Sequence, residues 1–394
     1  MVETKDCILF ATADWDAPYW TNKQHMAVQL AKAGYRVLYI ESIGLRAPNL
    51  GSSRDLSRIA RRLKCGLQGP RKVAENIWVL SPLVLPFKHQ HPVVRAFNQG
   101  WLSRAIRRLT HQQQFMQPLV WTYHPFMLET VARLQHGKIV YHCVDDLSVV
   151  PGINLKAFNA EEQRLLKQVQ IVFTTSPALA EKCARCNSNT HYLPNVVDAE
   201  QFARARQLGP LPDDLVDIPE PRIVYCGALS DYKVDFKLIY DVALQRPDWH
   251  WVLIGDEREG QQNQLVATLH SMTNVHFIGH KPYALLPEYL RCMAIGTLPS
   301  LINDYTRSMF PMKYYEYLAA GLPVVATPLE FTKTCQNGLL VAETKTGFIQ
   351  ALEQQLLRGR LTDQEADAFV ADNTWGARLD KMLVLLNNVT QIKC

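Results

Sequence analysis

The chain has 394 residues, of which 47% are hydrophobic and 20% charged, and its formal net charge is +5. This composition is typical of a soluble globular protein with enough apolar material for two or three domains. No apolar run approaches the roughly 20 residues that a membrane-spanning helix needs, so the sequence predicts no such helix.

The N-terminal segment, MVETKDCILFATADW, leads almost directly into a predicted strand. It lacks the succession of basic, apolar and small residues that marks a secretory signal peptide. The nine cysteines are scattered along the chain, as expected for free thiols in a reducing compartment. We therefore expect a cytoplasmic protein.

Six continuous apolar runs in the first half predict parallel strands that are covered on both faces. Such strands are rich in Val, Ile and aromatic residues and do not alternate with polar ones. Segments whose apolar residues recur at helical spacing lie between the runs. One of them is NKQHMAVQLAKAG, a predicted helix that ends at Gly34. The runs are residues 7–13, 35–41, 76–82, 119–125, 138–144 and 170–176.

A proline-rich segment separates this series from a second one. Residues 203–221 contain four prolines and few large apolar residues, which is typical of an interdomain linker. After it, further apolar runs predict strands at 222–229, 250–255, 275–279, 294–301, 323–328 and 338–343.

Two consecutive β/α series predict an α/β protein with two Rossmann-like, doubly wound parallel sheets. We expect an N-terminal domain at 1–202, a linker at 203–221, a C-terminal domain at 222–372 and a helix at 373–394 that packs back on the N-terminal domain. Ligands of such sheets bind beyond the carboxyl ends of the strands. With two domains facing each other, the cleft between them is the expected site.

The stretch SMFPMKYYEYLAAGLPVVATP, residues 308–328, predicts a helix followed by a buried strand. The helix should start at about Phe310 or Pro311, just past a strand's carboxyl end, where unpaired backbone N–H groups attract anions. Lys313 adds a positive charge there, and Glu316 lies on the same face three residues later. If a diphosphate bound at Lys313 and a ribose at Glu316, the ligand would be a nucleotide. The alternative is that Lys313 and Glu316 form an ordinary surface ion pair.

Further candidates for binding a nucleotide follow the carboxyl ends of other predicted strands. Lys233 and Arg307 would offer positive charge to a diphosphate, although either could be an ordinary surface residue. Glycines at strand ends would let the backbone approach the base, and the histidine after one of them could contact base or ribose. The set comprises Gly227, Lys233, Gly255, Gly279, His280 and Arg307.

Four stretches in series resemble the GT-B fold glycosyltransferases, two-domain enzymes that use nucleotide sugars. The helix string PMKYYEYLAAGLPVVATP resembles their nucleotide-binding helix, and IVYCGALSDYKVDFKLI resembles the opening of their second domain. YLPNVVDAEQF and NTWGARLDKMLVLL resemble the segment before their linker and their C-terminal crossing helix. The large retaining family carries two glutamates eight positions apart here; Glu316 matches the second, but Ser308 occupies the first position. The resemblance therefore does not imply a retaining mechanism.

A first-domain run, KIVYHCVDDLSVVPG, resembles bacterial glucuronosyltransferases of xanthan-like polymers and transferases of the teichuronic acid type. In the former an aspartate is the general base of an inverting reaction, and Asp145 matches its position. Asp146 would be a structural partner, and two adjacent carboxylates could raise each other's pKa. The alternative is that both cap the following turn. His124 ends another strand and could touch donor or acceptor. No metal-binding aspartate motif is evident, so we expect catalysis without a metal or other cofactor.

The segment from Gly51 to Leu128 carries twelve Lys and Arg residues but two acidic ones, giving it a net charge of +10. Two predicted amphipathic helices, 54–64 and 97–109, place arginines beside apolar and aromatic residues. Such helices bind anionic bilayers, although each could instead be a core-facing helix with a solvated face. A lipid-linked glycan acceptor would bring the protein to the inner leaflet. No nucleic-acid-binding motif is recognisable.

These features predict a glycosyltransferase that moves a sugar, most simply from a UDP-linked donor, onto a lipid-linked or growing polysaccharide. A nucleotide-sugar epimerase or hydrolase of the same fold is one alternative. A non-catalytic subunit that binds sugar nucleotides or glycans is another.

Overall fold

The computed structural model describes residues 5–17, 19–42, 66, 69–82, 92–150, 153–257 and 263–389. The chain divides into two compact units, each with its own parallel-dominated sheet. Unit 1 consists of Met1–Leu193 with Leu379–Cys394, and unit 2 is Pro194–Arg378. The predicted basic helix at 54–64 lies outside the described residues.

In unit 1 the described residues form an eight-stranded sheet in the order β3-β4-β2-β1-β5-β6-β7-β8. All neighbours are parallel except β3 and β4, which are antiparallel. The strand order reverses between β1 and β5, which makes their carboxyl ends the topological switch point of this sheet. The strands are β1 (Lys5–Phe10), β2 (Tyr35–Ile40), β3 (Arg71–Ala74), β4 (Ile77–Leu80), β5 (Leu119–Thr122), β6 (Ile139–Cys143), β7 (Ile171–Thr174) and β8 (Thr190–Tyr192).

Helices connect the strands of unit 1 and cover an apolar core in which most side chains are fully buried. In the described part of this unit they are α1 (Asn22–Lys32), α2 (Pro92–Gln112), α3 (Leu128–Val131), α4 (Leu155–Leu166) and α5 (Pro177–Ala184).

In unit 2 the described residues form a six-stranded, fully parallel sheet in the order β11-β10-β9-β12-β13-β14. Its switch point lies between β9 and β12, and apolar clusters fill both faces of the sheet. The strands are β9 (Arg222–Cys226), β10 (His250–Ile254), β11 (Val275–Gly279), β12 (Ile295–Leu298), β13 (Val324–Ala326) and β14 (Leu339–Val341). The described helices are α6 (Ala199–Ala203), α7 (Phe236–Gln245), α8 (Gln264–His270), α9 (Leu286–Arg291), α10 (Asp304–Arg307), α11 (Lys313–Ala319), α12 (Lys345–Arg358) and α13 (Asp363–Val370).

The last helix, α14 (Trp375–Asn387), begins in unit 2, and its residues from Leu379 onward belong to unit 1. Within unit 1, Lys138 Nζ donates a hydrogen bond of 2.8 Å to the Leu386 carbonyl. A cation at this position also complements the negative end of the helix dipole.

Both doubly wound sheets predicted from the sequence are confirmed, and each of the twelve predicted strands has a counterpart. The sequence did not reveal β3 and β8, which lie at the two edges of the unit 1 sheet. Edge strands need no continuous apolar run, and these two read RKVA and THY. Hydropathy alone therefore finds interior strands better than edge strands.

The segment proposed as a linker, 203–221, packs as part of unit 2. Leu215 and Ile218 are 0% and 6% exposed and belong to the core of that unit. The unit boundary falls at Leu193/Pro194 rather than at 202/203. Prolines prevent regular helices and strands here, but they do not prevent apolar side chains between them from being buried.

Candidate functional site

The loops after β9 and β12 are joined by backbone hydrogen bonds at the switch point of unit 2. Asp235 N donates to Pro299 O at 2.8 Å, and Leu301 N donates to Lys233 O at 2.9 Å. The Lys233 ammonium lies 4.9 Å from the ring centroid of Tyr305, within the range of a cation–π interaction. Lys233 is therefore held at the edge of the sheet where parallel α/β proteins bind ligands.

Arg307 lies on α10, the short helix that also carries Tyr305. Its guanidinium is 3.5 Å from the Asp304 carboxylate, and its side chain is 63% exposed. Such an exposed pair contributes little stability, so the Arg307 side chain is free to reorient toward an anion.

The ends of β9, β10 and β11 are tied together through their glycines. Gly227 N donates to Ile254 O at 2.9 Å, and Gly255 N donates to Gly279 O at 3.0 Å. Gly279 has a φ of +68°, which favours glycine, and an added Cβ would meet no atom within 4 Å. The backbone here borders open space, as expected where a ligand approaches. His280 N donates to Asp256 Oδ1 at 3.1 Å.

The helix that carries Lys313 begins later than predicted. It starts at Lys313 with Met312 as its N-cap, not at Phe310 or Pro311. The Phe310 carbonyl accepts a 2.8 Å hydrogen bond from Asn195 Nδ2, and the Phe310 ring is buried against Tyr315. Because this packing fixes residue 310 outside the helix, Lys313 becomes the first helical residue.

A close approach to the sheet fixes the position of α11. A Cβ on Gly296 of β12 would lie 2.4 Å from ring atoms of Tyr317, so only glycine leaves room for this ring. The Tyr317 hydroxyl in turn accepts a 2.8 Å hydrogen bond from Cys226 N at the end of β9. Both strands of the switch point therefore locate the helix.

Lys313 and Glu316 form a hydrogen-bonded ion pair on α11, through Lys313 Nζ and Glu316 Oε2. The pair named as the alternative is therefore present, but it is largely enclosed and not on the surface, since the Glu316 side chain is 2% exposed and that of Lys313 is 21% exposed. The Lys313 ammonium also lies 5.9 Å from the ring centroid of Phe202. The carboxylate is more enclosed than ribose recognition led us to expect, but Oε1 accepts no hydrogen bond from any described residue.

Two further residues of this region behave as structural groups. Burial, together with the negative charges of Glu316 and Asp198, raises the pKa of Tyr283, so its hydroxyl stays neutral. Ser308, which occupies the position of the first family glutamate, is buried and donates a 3.0 Å hydrogen bond to the Tyr305 carbonyl.

In unit 1, Asp145 follows β6, the strand beside the switch-point strand β5. Its side chain is 29% exposed, and its Oδ2 lies 3.9 Å from the Nζ atom of Lys23. Lys23 belongs to the first turn of α1, after β1, and its side chain is only 8% exposed. The sequence did not single out Lys23.

Asp146 has a structural environment that differs from that of Asp145. It caps the turn after β6 by accepting hydrogen bonds from Ser148 N at 3.1 Å and Ser148 Oγ at 2.5 Å. Lys182 Nζ lies 3.0 Å from Asp146 and 2.9 Å from the buried Glu162. Burial acts to raise the pKa of Asp146, but the Ser148 hydrogen bonds and the Lys182 charge outweigh it and lower that pKa. The expectation that adjacent carboxylates raise each other's pKa is therefore wrong for Asp146, whereas the turn-capping alternative describes it.

His124 lies directly after β5, at the unit 1 switch point. It is 2% exposed, and its Nδ1 accepts a 3.2 Å hydrogen bond from Phe126 N, which caps the next turn. Its place is as predicted, but its ring is enclosed. In the described ranges no three His, Cys, Asp or Glu side chains are grouped closely enough to hold a metal ion. Nor does any helix in these ranges have the length and apolar character to cross a membrane.

The two doubly wound units define the GT-B fold, and known structures agree over nearly the whole chain. Sucrose-phosphate synthase from Thermosynechococcus elongatus matches with a TM-score of 0.71 and 15% identity, covering 97% of this chain and 98% of that one. HepE from Anabaena, in complex with UDP and glucose, matches with a TM-score of 0.65 and 14% identity, covering 98% and 100%.

Residues 220–358, within unit 2, match the family model described as glycosyl transferases group 1. TuaH of Bacillus subtilis (strain 168), assigned as a teichuronic acid biosynthesis glycosyltransferase, is 27% identical over 214 residues. That match covers 51% of this chain and 53% of TuaH, so the chain spans about half the length of the curated relative. The resemblance to GT-B glycosyltransferases inferred from the sequence is confirmed.

Proposed function

We propose that this protein is a glycosyltransferase that moves a sugar from a nucleoside diphosphate donor to an acceptor hydroxyl. The observation that carries the proposal is the match of residues 220–358 to group 1 glycosyl transferases, because this segment contains the whole candidate donor site. Unit 2 would bind the donor, and Asp145 of unit 1 would accept the proton of the attacking hydroxyl.

The candidate donor residues suit the charge that develops on a departing diphosphate. Lys233 is fixed at the switch point, and Lys313 lies on a helix held against the same strands. Preorganised cations stabilise such a leaving group without a metal ion. UDP is the nucleotide we favour, because the HepE structure with UDP and glucose shares the fold over 98% of this chain.

The acceptor we propose is a lipid-linked or growing cell-surface glycan. The similarity to TuaH supports a polysaccharide pathway. On α2, Phe97 and Trp101 are 55% and 47% exposed and stack with ring centroids 6.3 Å apart. Arg104 and Arg108 are exposed on the same helical face as these rings, because positions 97, 101, 104 and 108 follow one another at intervals of four, three and four residues. Exposed aromatic rings beside arginines suit the headgroup region of an anionic inner-leaflet membrane.

Calorimetric titration with UDP tests the donor site. Glu316→Gln and Lys313→Met should each weaken UDP binding by at least about tenfold, because each removes a charge-assisted hydrogen bond. Lys333→Met is the matched control, since Lys333 forms an exposed pair with Glu330 at the same spacing of three residues. EDTA should leave the wild-type affinity unchanged.

The outcomes separate the proposal from its alternatives. Wild-type affinity in both site variants, with unchanged melting temperatures, would reject the donor site. Conversion of a sugar nucleotide without any acceptor would indicate an epimerase or hydrolase. Tight UDP binding without turnover across a panel of sugar nucleotides and glycan acceptors would indicate a non-catalytic binding subunit.

A further inference from the structure

The first turn of α1 contains four consecutive polar residues that are all buried. Asn22, Lys23, Gln24 and His25 are between 0% and 7% exposed. Four successive residues cover every side of a helix, so this end is enclosed all round. Polar residues, and lysine above all, are seldom buried without partners. This is therefore an unusual place for polar side chains in unit 1.

Structural roles account for two neighbours of Lys23, Gln24 and Asn22. Gln24 completes the capping box with Thr21 and donates to the Asp14 carbonyl at 3.1 Å. Asn22 accepts a 2.8 Å hydrogen bond from the Tyr123 hydroxyl. Lys23 is different, because its ammonium makes no hydrogen bond to any residue that the structure describes. Its surroundings are the Tyr123 ring, with the centroid 5.6 Å away, and the Asp145 carboxylate.

The 3.9 Å separation between Lys23 Nζ and Asp145 Oδ2 is too long for a hydrogen bond. It is short enough for one oxygen atom to lie about 2.8 Å from both. That atom must accept a hydrogen bond from the ammonium and donate one to the carboxylate. A hydroxyl group has both capacities, whereas a carboxylate or phosphate lacks the donor. The opposite charges of the two side chains also balance, so the position favours a neutral group.

We propose that Lys23 and Asp145 together bind the nucleophilic hydroxyl of a sugar acceptor, with Lys23 as a positioning residue. This inference rests on the proposed function and specifies its acceptor. Lys23 Nζ donates to the hydroxyl oxygen and aims the remaining lone pair at the anomeric carbon. As the new C–O bond forms, the hydroxyl proton moves to Asp145 Oδ2. The bond from the anomeric carbon to the diphosphate breaks, and its electron pair leaves with the diphosphate.

The electrostatic surroundings of Lys23 are consistent with this role. Burial lowers its pKa, and the negative charge of Asp145 opposes that effect, with a smaller contribution from Cys143. The groups that face the ammonium are thus Asp145 and Cys143 from the β6 end and Tyr123 from the β5 end. Asp146 is neutralised separately by Lys182. Removing the Lys23 charge would therefore take away the positive charge that faces the Asp145 carboxylate.

Release of UDP from UDP-glucose that depends on octyl β-glucoside as acceptor tests this role. Lys23→Met should lower kcat at least tenfold, raise the KM for the glucoside and shift the acidic limb of the pH–rate profile upward. UDP affinity should not change. Lys23→Arg should restore part of the rate and return the acidic limb toward its wild-type position. Lys32→Met, an exposed lysine in the last turn of the same helix, is the matched control.

The comparison with Asp145 makes the test specific. In an Asp145→Asn background, Lys23→Met should cost little further activity, because the two residues act on one hydroxyl. An active wild type with an unaltered Lys23→Met pH profile would overturn the Lys23 role and leave the proposed function standing. A wild type that releases no UDP across a panel of sugar nucleotides and glycan acceptors would overturn the proposed function instead.

A second measurement is independent of turnover and of the folding of any variant. A crystal structure of the wild-type protein should show an ordered water within hydrogen-bond distance of both Lys23 Nζ and Asp145 Oδ2. A direct hydrogen bond between these two atoms, with no room for an oxygen, would overturn the inference.

Discussion

The two switch points of this protein share a topology but differ in chemistry. In unit 2 the segments that follow β9 and β12 carry the cations Lys233 and Arg307 and the Lys313–Glu316 pair. In unit 1 the candidate acceptor residues at the corresponding strand ends are one carboxylate and one buried lysine, Asp145 and Lys23. The candidate residues of the two units thus differ: those of unit 2 include three cations, Lys233, Arg307 and Lys313, whereas those of unit 1 are an oppositely charged pair.

This difference is what a transfer between two substrates requires. A nucleoside diphosphate is anionic and needs cations, whereas an acceptor hydroxyl is neutral and needs a base with a nearby donor. Because the fold is the same, the loops after the strands decide which ligand each unit takes. We therefore propose that the donor binds to unit 2 and the acceptor to unit 1.

The largest expected effect would come from Asp145→Asn. Removing the proposed base should lower kcat about 10³-fold, because positioned general bases contribute roughly 10² to 10⁴ in rate. UDP affinity measured by calorimetry should stay within about twofold of wild type, since the donor site is in the other unit. An equally large loss of UDP binding would contradict the assignment of donor binding to unit 2 alone. Full turnover would show that Asp145 is not the base.

A smaller effect is expected for the exposed aromatic pair of unit 1. Phe97→Ser with Trp101→Ser should weaken binding to phosphatidylglycerol vesicles about tenfold or more in a sedimentation assay, since buried apolar area drives interfacial binding. Phosphatidylcholine vesicles should bind the wild type weakly. Leu357→Ser is the matched control, because Leu357 is 90% exposed on unit 2. Equal losses in the control and in the double variant would mean that unit 1 has no special membrane surface.

The smallest effect concerns stability and separates Asp146 from Asp145. Asp146→Asn should lower the free energy of unfolding by roughly 1–2 kcal/mol at pH 7, because hydrogen bonds to a charged group are lost. The folded state lowers the pKa of Asp146 below its ordinary 3.8, so this stabilisation is present above pH 3.8 and disappears as the pH falls through the lowered pKa.

Thermal melts of Asp146→Asn and wild type should therefore converge in acid, while the catalytic rate per folded molecule stays near wild type. A rate loss as large as that of Asp145→Asn would mean that Asp146 also takes part in catalysis. A constant difference in melting temperature down to pH 2 would contradict the lowered pKa.

The amino-acid sequence by itself determined the two sheets, the interior strands and the likeness of residues 308–328 to a nucleotide-binding helix. Those features depend on local hydropathy and on short-range spacing, which can be read along the chain. Lys313 was found from its place at the start of that helix, and Asp145 was found because KIVYHCVDDLSVVPG resembles a family segment that carries a general base. Edge strands β3 and β8 and the packing of 203–221 were not found, since neither depends on a continuous apolar run.

Only the tertiary structure decided the environments of the candidate residues. The folded chain buries Glu316 and His124, and it pairs Asp146 with Lys182 and Ser148. It also brings Lys23 to within 3.9 Å of Asp145, which is 122 positions away in the chain. Charge, burial and hydrogen bonding depend on which loops meet at a sheet edge. Strand order fixes those meetings, and strand order is a property of the folded chain rather than of any local pattern.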